Sequence, residues 1–223
     1  MIYFVLLCGG KGTRTGLDEP KQYVLVNQKP VFMYSIDVFS QIKEDKTLII
    51  AAEPQYFDFI KAYTQNIKVK FVEAGASRQE TVYNALKSVR KINNDDIVMI
   101  HDSARMYIDI NLIELLLNEF KNGKDSAIPY KNQSSAIYDE KTNKYIDTSS
   151  LKVIETPQAF NFKKLKEAYK NKNLKNYRDD GSIYLNKHKC LNFIYNPKIN
   201  IKITHREDLI EAERRVKWKS VIS

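Results

Sequence analysis

IYFVLLCGGKGTRTGLDEPKQY, residues 2–23, holds the key to the fold. Its first seven residues are apolar and stop abruptly in glycine. Residues 2–8 therefore read as a short buried strand closed by a turn. The whole chain contains seven glycines, and four of them, Gly9, Gly10, Gly12 and Gly16, sit in this one loop. Lys11, Arg14 and Lys21 surround them. Glycine lets backbone N–H groups approach an anion closely, and a following helix or turn adds its dipole. A plain strand-to-helix turn needs one glycine, not four beside three cations, so the loop reads as a phosphate cradle. It is not a P-loop, because Gly10-Lys11-Gly12 lacks the required Gly-Lys-Ser/Thr. A dinucleotide fingerprint is disfavoured too: Thr15 stands where its third glycine belongs, and the next acidic strand end, Glu53, is too far along.

Beyond the loop, strands and helices alternate. Residues 46–52, 67–73, 96–101 and 125–130 read as strands, and 31–41, 55–65, 78–92 and 110–120 as helices. In 31–41, Val31, Tyr34 and Val38 follow Pro30 at helical spacing. In 78–92, Val82, Ala85, Leu86 and Val89 share a face, as do Ile113, Leu116, Leu117 and Phe120 in 110–120. This rhythm predicts an α/β fold with a mostly parallel sheet and helices on both faces. The site of such a sheet lies beyond the carboxyl ends of its strands. Those ends carry the loop after Cys8, the turn after Glu73 and the segment after Ile100. From Lys131 to about Lys152 the rhythm breaks into a polar stretch, which reads as a β-hairpin arm turning near Glu140–Asn143. Helices near 161–172 and 181–188, a strand at 191–195 and a last helix from about 205 complete the chain.

The 223 residues suit one domain, and 43% hydrophobic with 28% charged residues is ordinary globular composition. No segment is long and apolar enough to span a bilayer, so a cytoplasmic protein with no membrane partner is expected. Two distant cysteines, Cys8 and Cys190, make neither a disulfide framework nor a zinc site. The net charge of +9 admits nucleic acid, anionic membrane or phosphorylated small molecules as partners. Much of it is scattered lysine. The basic tail Arg214-Arg215-Val-Lys217-Trp218-Lys219 comes with no nucleic-acid motif, so a basic nucleic-acid-binding protein is the weaker alternative.

Several blocks together resemble one family. Gly9-Gly10-Lys11-Gly12-Thr13-Arg14, then Lys21-Gln22-Tyr23, is similar to the signature of the nucleotidyltransferases that make CDP-alcohols, the 2-C-methyl-D-erythritol 4-phosphate and ribitol-5-phosphate cytidylyltransferases. Gly75-Ala-Ser-Arg78-Gln-Glu-Thr81-Val82, His101-Asp102-Ser103-Ala104-Arg105, Thr156-Pro157-Gln158-Ala-Phe160 and Asn200-Ile201-Lys202-Ile203-Thr204 follow in the family's order. The resemblance implies a single Rossmann-like nucleotidyltransferase domain over 1–223, with 131–152 as a dimerisation and acceptor arm. It implies CTP and a small alcohol phosphate as partners, Mg²⁺ as cofactor, and a homodimer. By resemblance, Arg14, Lys21 and Lys202 are catalytic, and Gly9, Gly10, Gly12, Gly75, Arg78 and Thr81 bind the nucleotide. Arg105 and Asp179 touch the acceptor, and Asp102 positions the metal. The implied reaction is attack of an acceptor phosphate oxygen on the α-phosphorus of CTP, with pyrophosphate leaving. The attacking phosphate is already anionic, so no general base is required.

The residues also admit structural roles. Ser77 and Glu80, and Thr204 and Glu207, make Ser/Thr-x-x-Glu capping patterns. His101 reads as a packed histidine, and Asp179-Asp180 as a helix cap or as metal or acceptor contacts. Arg105 either binds the acceptor phosphate or pairs with Asp102. The arm departs from the family. Asn132-Gln133 stands where relatives carry an Asp-Thr pair, and Asp147-Thr148-Ser149 lacks the arginine that grips the acceptor phosphate. This leaves the acceptor and its pathway, isoprenoid or surface-glycan, open. A relative that binds nucleotide without turnover is the remaining alternative.

Overall fold

The computed structural model describes residues 1–10, 16, 19–170 and 174–222, the last five of these by backbone alone. The chain begins with β1 (Ile2–Leu7), β2 (Leu25–Val26), β3 (Lys29–Pro30), α1 (Val31–Ser40) and β4 (Lys46–Ala52). A 3-10 turn (Pro54–Tyr56) runs into α2 (Phe57–Tyr63), then come β5 (Val69–Glu73), α3 (Arg78–Ser88), β6 (Ile97–Asp102), α4 (Ile110–Lys121) and β7 (Ser126–Asn132). The second part holds β8 (Ile137–Asp139), β9 (Lys144–Ile146), β10 (Lys152–Ile154), β11 (Gln158–Asn161), α5 (Phe162–Ala168), α6 (Asp180–His188), β12 (Phe193–Tyr195) and α7 (Arg206–Ile222).

The main sheet is ordered β10-β7-β11-β6-β1-β4-β5, with β12 also paired to β7. The β6-β1-β4-β5 half is parallel throughout. The other half is mixed: β11 runs antiparallel to β6 and β7, β10 antiparallel to β7, and β12 parallel to it. Strand period two explains why helices cover both faces. Phe4 and Leu6 of β1, with Leu48, Ile50 and Met99, pack against Phe32, Ile36 and Phe39 of α1 and Leu112 and Leu116 of α4. The alternate residues Val5, Ile49, Val98 and Ile100 pack against Val82 and Leu86 of α3 and Phe162 and Leu165 of α5. Truncating a side chain as deeply set as Phe4, 0% exposed, typically costs about 3–5 kcal/mol.

Several elements differ from the sequence reading, α3 among them, which ends at Ser88 rather than 92. In α1 the buried stripe is Phe32, Ile36 and Phe39, while Tyr34 and Val38 are half-buried. The aromatic stripe wins because Phe39 stacks on Phe4, ring centroids 4.3 Å apart. β11 has no strand period to read: Gln158, Ala159 and Phe160 are all buried. The arm is shorter than 131–152. Asn132 pairs with Lys152 and Lys131 with Val153, so its base belongs to the main sheet. Within the arm, the β8–β9 hairpin alone stands apart from the main sheet, as a two-stranded sheet of its own. Helix α5 ends at Ala168, and residues 171 and 172 of the expected 161–172 helix lie outside the described residues. Among the described residues no helix is long and apolar enough to cross a membrane.

Candidate active site

The parallel strands β1, β4, β5 and β6 end side by side, at Leu7, Ala52, Glu73 and Asp102. Antiparallel β11 brings its start to the same edge, where Gln158 pairs with Ile100. A cleft of about 680 Å³ opens there, walled by Gly9, Gly10, Lys21, Arg78, Asp102 and Lys202. Its size falls within the usual range for small-molecule sites. A second hollow of about 680 Å³ lies beside Tyr3, Thr47 and Lys70 near the amino ends of β1, β4 and β5. That end of an open α/β sheet is not where ligands bind.

The glycine turn is pinned from below. Gln22 Nε2 donates to the carbonyls of Cys8 (2.6 Å) and Gly10 (2.7 Å), and the Tyr23 hydroxyl donates to Cys8 O (2.9 Å). A Cβ on Gly9 would lie 2.4 Å from the Ala74 Cβ, so glycine is what lets this turn touch the 74–77 turn. Gly12 and Arg14 lie outside the described residues, as does Lys11. Gly75 N donates to Thr81 Oγ1 (3.0 Å), and Thr81 Oγ1 donates to Ser77 O (2.9 Å). Thr81 thus shapes the turn that carries Arg78. Ser77 caps α3 by accepting from Glu80 N (3.1 Å), while Glu80 Oε2 accepts from Ala76 N (2.9 Å).

Asp102 is the centre of the charge arrangement. Its Oδ1 accepts from Arg78 Nε (3.1 Å) and its Oδ2 from Lys202 Nζ (2.5 Å). Burial alone would raise the Asp102 carboxyl, but the Arg78 guanidinium and the Lys202 ammonium outweigh it and hold it well below the usual carboxylate range. Arg105 does not form that ion pair. Its side chain donates to Asn200 O (2.7 Å), and its contact with Asp102 is backbone N–H to carbonyl (2.9 Å).

Lys202 stands outside any helix or strand. Long-range hydrogen bonds lay that segment down instead: Ile203 N to Ala104 O (2.9 Å), Lys21 Nζ to Ile203 O (2.5 Å), and the Arg105–Asn200 bond. Asp208, not Glu207, then receives the N–H groups of Thr204 and His205.

His101 is 0% exposed and packed, as its place after a buried strand suggested. Nε2 lies 3.2 Å from Arg105 O and so carries the proton; Nδ1 accepts from Thr156 Oγ1 (2.9 Å). Burial pushes its pKa down to about 3. Asp179 caps α6: Oδ1 accepts from Ser182 N (2.9 Å) and Oδ2 from Gln158 Nε2 (2.8 Å). Its carboxylate is engaged in structure and is not part of the cleft wall. Asp180 turns inward to Arg78, its Oδ2 2.7 Å from Nη2.

A cleft that sets two cations on one carboxylate beneath a glycine turn suits a polyphosphate ligand. A family model for IspD, 2-C-methyl-D-erythritol 4-phosphate cytidylyltransferase, matches residues 2–217. The chain belongs to this family. It is 32% identical over 209 residues to the bifunctional enzyme IspD/IspF of Pelagibacter ubique, spanning 92% of this chain and 55% of that protein. It is 33% identical over 223 residues to the ribitol-5-phosphate cytidylyltransferase of Lacticaseibacillus paracasei, over 94% of this chain and 95% of that one. Among solved structures, that of 4-diphosphocytidyl-2C-methyl-D-erythritol synthase from Anaerococcus prevotii superposes with a TM-score of 0.82 at 21% identity, covering 97% and 96% of the two chains. At that identity the likeness shows the fold. Membership of the IspD family makes this chain a nucleotidyltransferase.

Parts of the IspD-family site escaped the sequence reading. Gln22 and Tyr23 were visible as part of a motif, but nothing local shows that they anchor the glycine turn. Asp180 meets Arg78, and Tyr169 meets Asp180, only through the fold. The donor set also limits how a metal is held. Among the described residues no group of three or more His, Cys, Asp or Glu can hold one. Asp102 already takes Arg78 and Lys202 on its two oxygens, so an Mg²⁺ held there would keep waters and take its other oxygens from phosphates.

Proposed function

We propose that this chain transfers CMP from CTP to the phosphate of a small polyol. The observation that carries the reading is the placement of Arg78 and Lys202 on Asp102, with Lys21 on the wall of the same cleft beside the glycine turn. An acceptor phosphate oxygen attacks the α-phosphorus, a new P–O bond forms, and the bond to the β-phosphate oxygen breaks. Pyrophosphate leaves with the electron pair. Lys21 and Lys202, with Arg14, stabilise the charge growing on the α-phosphate and the leaving group. Gly9, Gly10, Gly12, Gly75 and Thr81 shape the nucleotide's seat, and Arg78 contacts it. Arg105 would contact the acceptor phosphate. Asp102 would hold Mg²⁺ together with phosphate oxygens, and the ion would neutralise triphosphate charge.

The acceptor we infer is ribitol phosphate or a similar polyol phosphate rather than methylerythritol phosphate. The support is the arm, where Thr148 follows an Asp147 that accepts from Ser149 N (2.9 Å) and no arginine is present. An arginine fork matches phosphate geometry and threonine does not replace it. Losing such a charged hydrogen bond disfavours methylerythritol phosphate by roughly ten- to a hundredfold.

Competition of CTP, UTP, ATP and GTP, followed by pyrophosphate release with each acceptor, tests the reading. CTP and ribitol phosphate should win, and Thr148→Arg should move the ratio toward methylerythritol phosphate. Preference for a purine nucleotide would overturn the base. CTP binding with no product from any polyol phosphate would mark a non-catalytic relative.

A further inference from the structure

We infer that Asp180, backed by the Tyr169 hydroxyl, is a positioning residue that holds the Arg78 guanidinium against Asp102 and toward the nucleotide. The inference rests on the reading above for what fills the cleft. Asp180 is 0% exposed, and both of its oxygens are engaged. Oδ2 accepts from Arg78 Nη2 at 2.7 Å and Oδ1 from the Tyr169 hydroxyl. Arg78 Nε then reaches Asp102 Oδ1, and Asp102 Oδ2 takes Lys202. A line of alternating charge thus runs from the end of α5, through the first turns of α6 and α3, to the end of β6 and the Lys202 segment.

Two features argue against a merely structural role. Asp179, not Asp180, caps α6, so the cap does not explain the second aspartate. A buried ion pair is also weak support for stability, since apolar replacements of similar volume do as well or better. Arg78, by contrast, needs help to stay where it is. It stands in the first turn of α3, where the helix dipole disfavours a cation, and its long side chain has many rotamers to lose. Two carboxylates fix two arms of its fork. The remaining nitrogen, Nη1, is buried with no hydrogen-bond partner among the described residues. Arg78 itself lines the cleft, so the fork fixed by the two carboxylates stands at the ligand's wall.

Calorimetric titration of CTP into the full chain tests this with the cycle Asp180→Asn, Tyr169→Phe and Arg78→Lys. The lysine keeps the charge that pairs Asp180 but removes the fork. Asp180→Asn should weaken CTP binding about tenfold and Tyr169→Phe about threefold, and both effects should shrink to within about twofold in the Arg78→Lys background. Equal losses with and without the Arg78 fork would overturn the positioning role. If Asp180→Asn does not fold, Tyr169→Phe decides alone, because it changes no charge; unchanged CTP affinity in that variant would sink the proposal. A wild-type chain that binds no CTP would instead overturn the reading of the cleft. A wild-type chain that binds CTP, with additive variants, overturns the positioning role only.

Discussion

Lys202 and His101 lie within reach of Asp102 but do different work. Lys202 is about one-third exposed, reaches the cleft and is paired to a carboxylate that a triphosphate would compete with. Lys202→Ala should keep a native circular dichroism spectrum and lose roughly 100- to 1,000-fold in turnover, the usual effect of removing one charge that acts on a developing anion. A variant within tenfold of wild type would exclude Lys202 from the charge clamp. His101 affects stability instead. Burial depresses it to about 3, while the unfolded chain takes up the proton near the ordinary value of about 6.5. Between those values the unfolded state binds more protons, so stability falls as pH falls, by on the order of a few kcal/mol across the window. Urea midpoints measured from pH 7 to pH 4.5 should drop for wild type. His101→Asn should start lower and follow a flatter line; parallel lines would show that His101 does not carry the slope.

At the scale of elements, the close approach of two turns builds the cleft. The loop after β1 and the turn before α3 meet at Gly9 and Ala74, and no Cβ fits at position 9. Gly9→Ala should push the turns apart and weaken CTP binding, since overpacking typically costs about 1–3 kcal/mol. The added methyl meets the methyl of Ala74, so Gly9→Ala/Ala74→Gly should recover most of the affinity. No recovery in the double variant would mean that position 9 matters for a reason other than this contact. The antiparallel β11 works at the same scale. Its reversed direction delivers Thr156 to the end of β6, where Thr156 Oγ1 accepts from Asp102 N (3.2 Å) and bonds His101. The segment that presents Asp102 is thereby held from a neighbouring strand.

For the whole molecule, the β8–β9 hairpin raises the question of assembly. Tyr138, Tyr145 and Ile146 on it are 47%, 76% and 41% exposed. An isolated two-stranded hairpin is marginal in water. We propose that a second copy of the chain covers it, as the family resemblance suggests, giving a homodimer. Light scattering should report a dimer for the full chain and a monomer after residues 135–148 are replaced by a short glycine linker. The shortened chain should still bind CTP, because every cleft residue named above lies outside the deleted segment. A full-length monomer with full turnover would rule the arrangement out.

Local pattern was enough for the β1 strand and its glycine turn, the alternation of strands and helices, the packed His101 and the capping role of Ser77. Each of these depends on neighbours a few residues apart, and apolar period and turn chemistry record such relations directly. Family resemblance added the order of the motifs and the reaction class. The rest depended on sheet order. Lys202 meets Asp102 across 100 positions of chain and Arg78 meets Asp180 across 102, distances over which no periodicity carries a signal. β11 was illegible because Gln158, Ala159 and Phe160 are all buried and so show no alternation. The base of the arm read as part of a free-standing hairpin because its side chains are polar, whereas main-chain pairing of β10 with β7 puts it in the main sheet. Burial of a charged side chain is likewise a property of what packs over it. Asp179 and Asp180 are adjacent in the sequence, yet the fold makes one a helix cap and seals the other against Arg78.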